Sequence, residues 1–392
     1  MKILYHHRIA SKDGQFVHVE EVIRGLEKDG HEVMLVGPPV HTKTDFGHDG
    51  GLANKLKKIL PKALYEIMEL GYGALIAKRL YRAIKVFQPD VIYERYNLYQ
   101  PVGAMLAKRF NIPLLLEVNA PLKQERIAFY GALGLPKIAA WSERYVWANA
   151  DLVLPVSEVL ADHVRAEGVP EERIKVIHNG VREEVLESFR EKTTVLGETI
   201  TLGFSGFMHL TCGVEWALEV LAERDDPRLR LLCVGDGDVL QGLKDKAAAL
   251  GVEGQVEFTG LVKREAIFDY VKQFDVALQP DVTDYASPLK MFEYMAAKSI
   301  IIAPNKANIR EILNADCAVL FEPGDPENFK KALVDTLTHL DEKNALREKV
   351  YQHMWRKGFT WDENARRIAK TARGLVESRP LTPHLTQKMA NK

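Results

Sequence analysis

Ser287, Pro288, Lys290 and Glu293 place a hydroxyl, an imino ring, an amine and a carboxylate within two turns of chain. The apolar residues among them, Leu289, Phe292 and Ala296, recur at i, i+3 and i+7, which is one face of a helix. Ser287-Pro288 is a start signal for that helix: Ser can cap the free backbone N–H groups, and Pro fits the first turn. Just upstream, Phe274–Gln279 (FDVALQ) reads as a short buried strand. A helix opening at a strand's carboxyl end offers unpaired N–H donors and a positive dipole end to an anion. Lys290 falls in the first turn, where a cation is unfavourable unless something negative is close. Glu293 lies one turn on, on nearly the same side. A phosphate at the helix end, Lys290 on the phosphate and Glu293 on a sugar hydroxyl would account for the set. A solvated Lys290–Glu293 ion pair on a surface helix accounts for the two charges as well, because such pairs are common and weak.

The chain that must position these groups has 392 residues, which suits two domains better than one. Its net charge of −1 and its lack of an acidic or basic tail give no sign of nucleic-acid binding. Cys212, Cys233 and Cys317 have neither metal-ligand nor disulfide spacing, which fits a reducing compartment. His6, His7 and Arg8 directly follow Met1–Tyr5, so no signal-peptide pattern forms, and no apolar run reaches membrane-spanning length. The expected location is cytoplasmic, at most peripheral to the inner face of a membrane.

The first half alternates strand and helix. Lys2–Tyr5 is a strand, Gln15 to Asp29 an amphipathic helix and Glu32–Val36 the next strand, a βαβ unit that implies a parallel sheet. The Gly14 loop has one glycine and is not a dinucleotide fingerprint. His18 suits a helix-surface histidine as well as a functional one. Leu52 to Val86 is helical with a break near Pro61, and its first part carries Lys55, Lys57, Lys58 and Lys62 among Leu56, Leu60, Leu64 and Met68. That is either a basic solvent face or a peripheral contact with anionic lipid, at about 1 kcal/mol per lysine. Val91–Glu94 and Pro113–Val118 are further strands. Glu94, Arg95 and Asn97 after the first, and Asn119 after the second, sit at carboxyl ends, where open α/β sheets hold ligands. Loop capping and ion pairing explain Glu94, Arg95 and Asn97 equally well. One long helix is expected over Glu125 to Ala148, and Ile174–Ile177 as the last strand of this half.

Glu183 to Glu198 is charged and without apolar period, a linker. A second α/β series follows, with strands at Ile200–Phe204, Leu229–Val234 and Val256–Phe258, and Trp361 begins a final helix. The expected domains are residues 1–181, a linker 182–198, residues 199–358, a C-terminal helix 359–377 and a disordered tail 378–392. The fold class is α/β, with two Rossmann-like domains facing across a cleft.

The segment YASPLKMFEYMAA resembles the donor-binding segment of the GT-B glycosyltransferases of the large retaining family 4. His178-Asn-Gly-Val181 resembles the PNGV segment that closes the family's first domain, and Val234-Gly-Asp-Gly237 resembles its VGDG turn, here given a structural role. The resemblance spans nearly the whole chain. It implies a retaining, metal-independent transfer of a sugar from a UDP- or GDP-linked donor, with no other cofactor, to a glycan or lipid-linked acceptor. It gives Glu293 the nucleotide ribose, and Lys290 and Gly206 the diphosphate. Tyr285, Ser287, Pro288 and Leu289 fall to the donor-binding segment, Leu261 and Val262 to the nucleobase, and Gly14 and Gln15 to the phosphates from the other side. Asn119 stands where many members carry a His near the donor sugar. The family's first Glu falls at Tyr285, with Asp284 adjacent, and Cys212 replaces a Lys of the phosphate loop, with His209 and Thr211 as the nearest substitutes. The last helix is expected to cross back onto the first domain. Two other readings follow from these departures: a GT-B nucleotide-sugar epimerase, and a non-catalytic glycosyltransferase-like subunit that binds a nucleotide or a partner.

Overall fold

The computed structural model describes residues 1–9, 14–38, 60–193, 195–210 and 212–379. The chain forms two compact units, Met1–His178 with Asp362–Lys392, and Asn179–Trp361.

Unit 1 is built on strands β1 (Lys2–His6), β2 (Glu32–Val36), β3 (Val91–Arg95), β4 (Leu114–Val118) and β5 (Leu152–Pro155). All are parallel, in the order β2-β1-β3-β4-β5, with Tyr5 opposite Leu35 on one side and Tyr93 on the other. β3, β4 and β5 are buried throughout, the signature of a parallel sheet covered on both faces. The strand order reverses between β1 and β3, the kind of switch point at which such sheets take ligands. The helix Trp361–Ser378 packs into this unit from Asp362 on. Asp362 accepts from Arg24 at 3.0 Å and Lys28 at 2.8 Å, and Asn364 donates to the His178 carbonyl at 2.7 Å.

Two expectations fail in this unit. The long helix over Glu125 to Ala148 is two helices, Leu122–Tyr130 and Pro136–Asn149. Gly131 ends the first with φ +74°, and Pro136 starts the second in its first turn. The Glu66 carboxylate, from the helix Lys62–Phe87, accepts from the N–H groups of Gly134 and Leu135 at 2.9 and 2.6 Å and fixes the break. Ile174–Ile177 is not a full strand: it makes one bridge to Val153 and two backbone hydrogen bonds along β5.

Unit 2 holds β6 (Ile200–Ser205), β7 (Leu229–Val234), β8 (Val256–Phe258), β9 (Val276–Leu278), β10 (Ile300–Pro304) and β11 (Val319–Phe321). They are parallel in the order β11-β10-β9-β6-β7-β8, so this sheet reverses between β6 and β9. One face packs Phe274, Phe292, Tyr294, Met295 and Tyr351; the other packs Leu202, Phe204, Leu218, Leu231 and Phe329. Each such side chain contributes about 1.5–3 kcal/mol on burial. The supposed linker begins with a helix, Glu183–Ser188, whose Leu186 is fully buried and whose Leu186 carbonyl accepts from the Tyr351 hydroxyl at 2.8 Å. Its charged composition concealed a single deep anchor.

Candidate active site

Two loops leave the carboxyl ends of the adjacent strands β6 and β9 at the switch point of unit 2. The first starts at Gly206 and ends at Gly213, the N-cap of the helix Val214–Arg224. The second runs to Pro288, the N-cap of the helix Leu289–Ala296. The loops are packed tightly: a Cβ on Gly213 would lie 2.4 Å from the Pro280 Cβ.

Lys290 crosses from the second loop's helix to the first loop. Gly206, at φ +127°, makes room for it, since a Cβ there would lie 2.9 Å from the Lys290 Nζ. The amine stands 4.0 Å from the Phe204 ring centroid, a cation–π contact. Tyr294, on the same helix, accepts at its hydroxyl from the Ser205 N–H at 2.8 Å and fixes the helix against the end of β6. Lys290 forms no ion pair with a described residue, and its amine is enclosed although the residue as a whole keeps some exposure. Burial lowers its pKa to about 8, while Cys212 and Glu293 pull it upward. A cation without an ion-pair partner among the described residues, beside two helix starts, is an arrangement that can receive an anion.

Glu293 does not pair with Lys290. It is buried and takes the Arg264 guanidinium at 2.6 Å. The surface ion pair that the spacing allowed is therefore absent, and the two charges serve different surroundings. Arg264 follows closely on Leu261 and Val262, of which Leu261 is exposed and Val262 packs on the core.

Ser287 does not cap the helix. Pro288 takes the N-cap position without a side-chain hydrogen bond, and Ser287 is engaged one residue earlier. Its hydroxyl accepts from the Asn179 N–H at 3.1 Å, and its carbonyl from the Asn179 side chain at 2.6 Å. Asn308 donates to the carbonyls of Thr283 and Ala286 at 3.0 and 2.7 Å. Lys306 holds Asp281 at 2.9 Å and Asp284 at 3.1 Å. Asp284 thus faces a lysine, and Tyr285 shares its turn.

The glycine loop is braced from behind. Met208 N–H donates to the Asp236 carbonyl at 2.8 Å, and a Cβ on Gly235 (φ +133°) would lie 2.2 Å from the Gly206 carbonyl oxygen. Within the loop, His209 is exposed and its ring meets only the edge of Phe207 among the described aromatic rings, at 6.2 Å between centroids. Cys212 is buried in the core, where burial pushes its thiol pKa up, so it is a packing residue. Thr211 lies outside the described residues.

Unit 1 gathers a buried polar cluster at its own switch point. Glu117 accepts from Tyr5 at 3.0 Å, Tyr93 at 2.9 Å and Arg95 at 2.5 Å, and also from Asn119. His18 stands 3.2 Å away; burial drives its pKa to about 4 against the pull of Glu117, so it is neutral. Burial pushes the Glu117 carboxyl up, but His18, Arg95, Asn119 and Tyr93 outweigh this and hold it below the ordinary range. Glu94 pairs with His6 at 3.1 Å, and Asn97 donates to the Arg95 carbonyl at 3.0 Å, so both have structural partners. Gly14 and Gln15 open the helix Gly14–Lys28; the Gln15 side chain is outside the described set. Lys55, Lys57 and Lys58 are outside it as well.

Sequence reasoning missed Arg264, Lys306, Asn308 and the Asn179–Ser287 contact. Each partner comes from another segment, and no local spacing marks it. Among the described residues no group of three or more His, Cys, Asp or Glu side chains is set to hold a metal ion, and no helix is long and apolar enough to cross a membrane.

Residues 12–185 match the family model Glycosyltransferase Family 4, and residues 199–339 match Glycosyl transferases group 1. An uncharacterized glycosyltransferase of Methanocaldococcus jannaschii is 24% identical over 93% of this chain and 95% of its own. The alpha-monoglucosyldiacylglycerol synthase of Streptococcus pneumoniae is 21% identical over 83% of this chain and 76% of its own. Among solved structures, sucrose-phosphate synthase from Thermosynechococcus elongatus superposes with a TM-score of 0.75 at 16% identity, over 97% of this chain and all of that one. HepE of Anabaena in complex with UDP gives 0.69 at 17% identity, over 95% of this chain and all of that one.

Proposed function

The chain belongs to the GT-B glycosyltransferases, and from that premise we propose that it moves a sugar from a nucleoside-diphosphate sugar to an acceptor hydroxyl, with retention and without a metal ion. The observation that carries the reading is Lys290, an enclosed amine without a counter-ion among the described residues, set against Gly206 at the start of a helix. As the donor's C1–O bond breaks, negative charge builds on the diphosphate oxygen. Lys290 and the backbone N–H groups of the two helix starts meet that charge where it develops. A donor phosphate oxygen takes the acceptor proton, so the reaction asks for position and electrostatics and not for a side-chain base. His209, exposed on the same loop as Gly206, is the second side chain proposed for the diphosphate.

The other assignments follow. Glu293, oriented by Arg264, takes a ribose hydroxyl, and the backbone at Leu261 and Val262 takes the base. Tyr285 to Leu289 line the donor segment, and Gly14, Gln15, Gly206 and Thr211 serve the phosphates. Asn119 serves the transferred sugar. Uridine is the first base to try, given the relative solved with UDP. The acceptor is a glycan or lipid-linked glycan, and a relative named for a glycosyldiacylglycerol product supports a lipid. Exposed Leu64, Ile67 and Met68 on the helix that begins at Lys62 support a peripheral contact with a cytoplasmic membrane face.

The test is thermal stabilisation with UDP, GDP, ADP and CMP, without and then with magnesium. One diphosphate at 100 times its dissociation constant should add about 2.7 kcal/mol, with no need for magnesium. No shift with any of the four would count against the reading; a shift only with magnesium would remove the metal-independent part.

A further inference from the structure

The helix Lys62–Phe87 turns one side, with Gly73, Ile76, Leu80, Ile84 and Phe87, into unit 1. The opposite side is a single stripe that changes character along its length: Leu64, Ile67, Met68 and Leu75 come first, then Lys78, Arg82 and Lys85. The outer stripe of a surface helix is ordinarily polar throughout. Here the four apolar side chains are between 44% and 52% exposed. Seven of the fifteen large apolar side chains exposed among the described residues lie between Leu64 and Met105, so they form a patch and not the usual scatter.

The charges of this patch have one sign. Lys78, Arg79, Arg82 and Lys85 are exposed, and so are Lys108 and Arg109 on the adjoining helix Val102–Phe110. The Lys85 amine stands 5.2 Å from the Phe110 ring centroid, which brings the two basic ends together. No Asp or Glu between residues 62 and 110 is exposed. Glu66 accepts from the Gly134 and Leu135 N–H groups, Glu69 holds Arg126, Asp90 accepts from the Lys2 N–H at 2.7 Å, and Glu94 holds His6. The whole chain has a net charge of −1, so the cationic excess is local. Apolar side chains beside cations match the boundary of an acidic bilayer, where acyl chains take the first and head-group phosphates the second. A soluble polyanion would engage the cations and leave the apolar half in water.

The stripe also has a direction relative to the sheet. The Phe87 carbonyl accepts from the Lys2 amine at 3.4 Å, at the start of β1, and the Tyr72 ring centroid lies 5.2 Å from the Arg8 guanidinium, just past the end of β1. Residues 62–71 therefore run beyond the carboxyl ends of the strands, the end that holds Glu117 and Asn119. At 1.5 Å per residue, the middle of the apolar run is about 20 Å from the middle of the basic run.

We propose that unit 1 docks on a bilayer containing acidic phospholipid, with this helix oblique in the interface, its amino-terminal half sunk to the acyl boundary and its basic half on the head-group phosphates. That tilt turns the carboxyl ends of β1, β3 and β4 towards the lipid, where a lipid-linked acceptor reaches them. The peripheral contact proposed above thereby gains a lipid class and an orientation, and both rest on that contact; the acceptor's place rests on glycosyl transfer.

The experiment is co-sedimentation of the whole chain with phosphatidylcholine vesicles, and with vesicles of phosphatidylcholine and phosphatidylglycerol in equal parts. Binding to the acidic vesicles should exceed binding to the neutral ones by about tenfold or more, and should fall as salt is raised. Arg79→Gln with Arg82→Gln, and separately Ile67→Ser with Met68→Ser, should each weaken it by about tenfold or more. All four side chains are exposed, so the fold survives, and a melting curve confirms it. Depth is read from an environment-sensitive dye placed through Leu64→Cys or Lys85→Cys, which labels selectively because Cys212, Cys233 and Cys317 are buried. On acidic vesicles the dye at position 64 should shift to the blue and be quenched by spin labels in the acyl chains, and the dye at position 85 should do neither. Equal binding to both kinds of vesicle would overturn the acidic partner and leave the peripheral contact standing; binding to neither would remove both. Binding unchanged in either pair of variants would overturn this face, and equal behaviour of the two dyes would overturn the orientation. A dimer in lipid-free solution that the Ile67→Ser, Met68→Ser pair dissolves would make the face a contact between two copies instead. UDP and GDP affinities, measured without lipid, test glycosyl transfer separately: a chain that docks but binds neither keeps the docking and loses the acceptor's place.

Discussion

Lys290 is a cation that the ligand-free fold tolerates at a loss. Its folded pKa of about 8 lies below the ordinary 10.5, so the unfolded chain holds the proton more tightly. The penalty is therefore complete below pH 8 and is relieved as pH rises from 8 towards 10.5. Lys290→Met should stabilise the ligand-free protein at pH 7 by on the order of 2 kcal/mol, and by little at pH 10.5; urea unfolding at both values checks this. Nucleotide affinity should run the other way and fall as pH passes about 8, where the amine loses its charge. Arg264 is the second residue to test. Arg264→Ala leaves the Glu293 carboxylate buried without its cation and should lower stability by about 1–3 kcal/mol. A Tm unchanged in that variant would mean that the pair is dispensable. The sequence displayed Lys290 and Glu293 because their spacing on one helix is local. It did not display what each one faces, because Phe204, Gly206 and Arg264 reach them through the sheet.

At the scale of elements, the alternation of strand and helix was legible because buried parallel strands read as unbroken apolar runs, such as Ile300-Ile-Ile-Ala-Pro304. The errors cluster where a local signal competed with a distant partner. Ser287 looks like a cap but is bonded to Asn179. Glu183–Ser188 looks like linker but is a helix anchored by one leucine. Glu125 to Ala148 looks like one helix but is broken by Gly131 and Pro136, with Glu66 of another helix bonded at the break. The glycines of the Val234–Gly237 turn brace the loop in front of it: Gly235 carries a positive φ and backs directly onto Gly206. Gly235→Ala should therefore cost about 1–3 kcal/mol in stability and also weaken the diphosphate, since the loop behind Lys290 must shift. A melting curve and a nucleotide titration of that variant measure both; full nucleotide affinity would show that the brace does not act on the site.

At the scale of the whole molecule, the two units differ in how the chain builds them. Unit 2 is one continuous stretch, Asn179–Trp361, with its own sheet and core; unit 1 is closed by the last helix. A fragment of residues 179–361 should unfold cooperatively on its own. A chain ending at Thr360 should lose the compact state of unit 1, because it lacks buried Ala365, Ile368, Ala369 and Ala372 and the Asp362 contacts to Arg24 and Lys28. Hydrogen exchange reads each unit separately, and protection of β1–β5 unchanged by the truncation would refute this. The most direct measurement on the whole chain is a titration of the parent and of Lys290→Met with UDP and with GDP. One of the two should bind the parent, and binding should weaken by at least tenfold in the variant, as loss of one charge-assisted contact of about 1.5–3 kcal/mol requires. Equal affinity in parent and variant would contradict the assignment of Lys290 to the diphosphate, and with it the proposed chemistry.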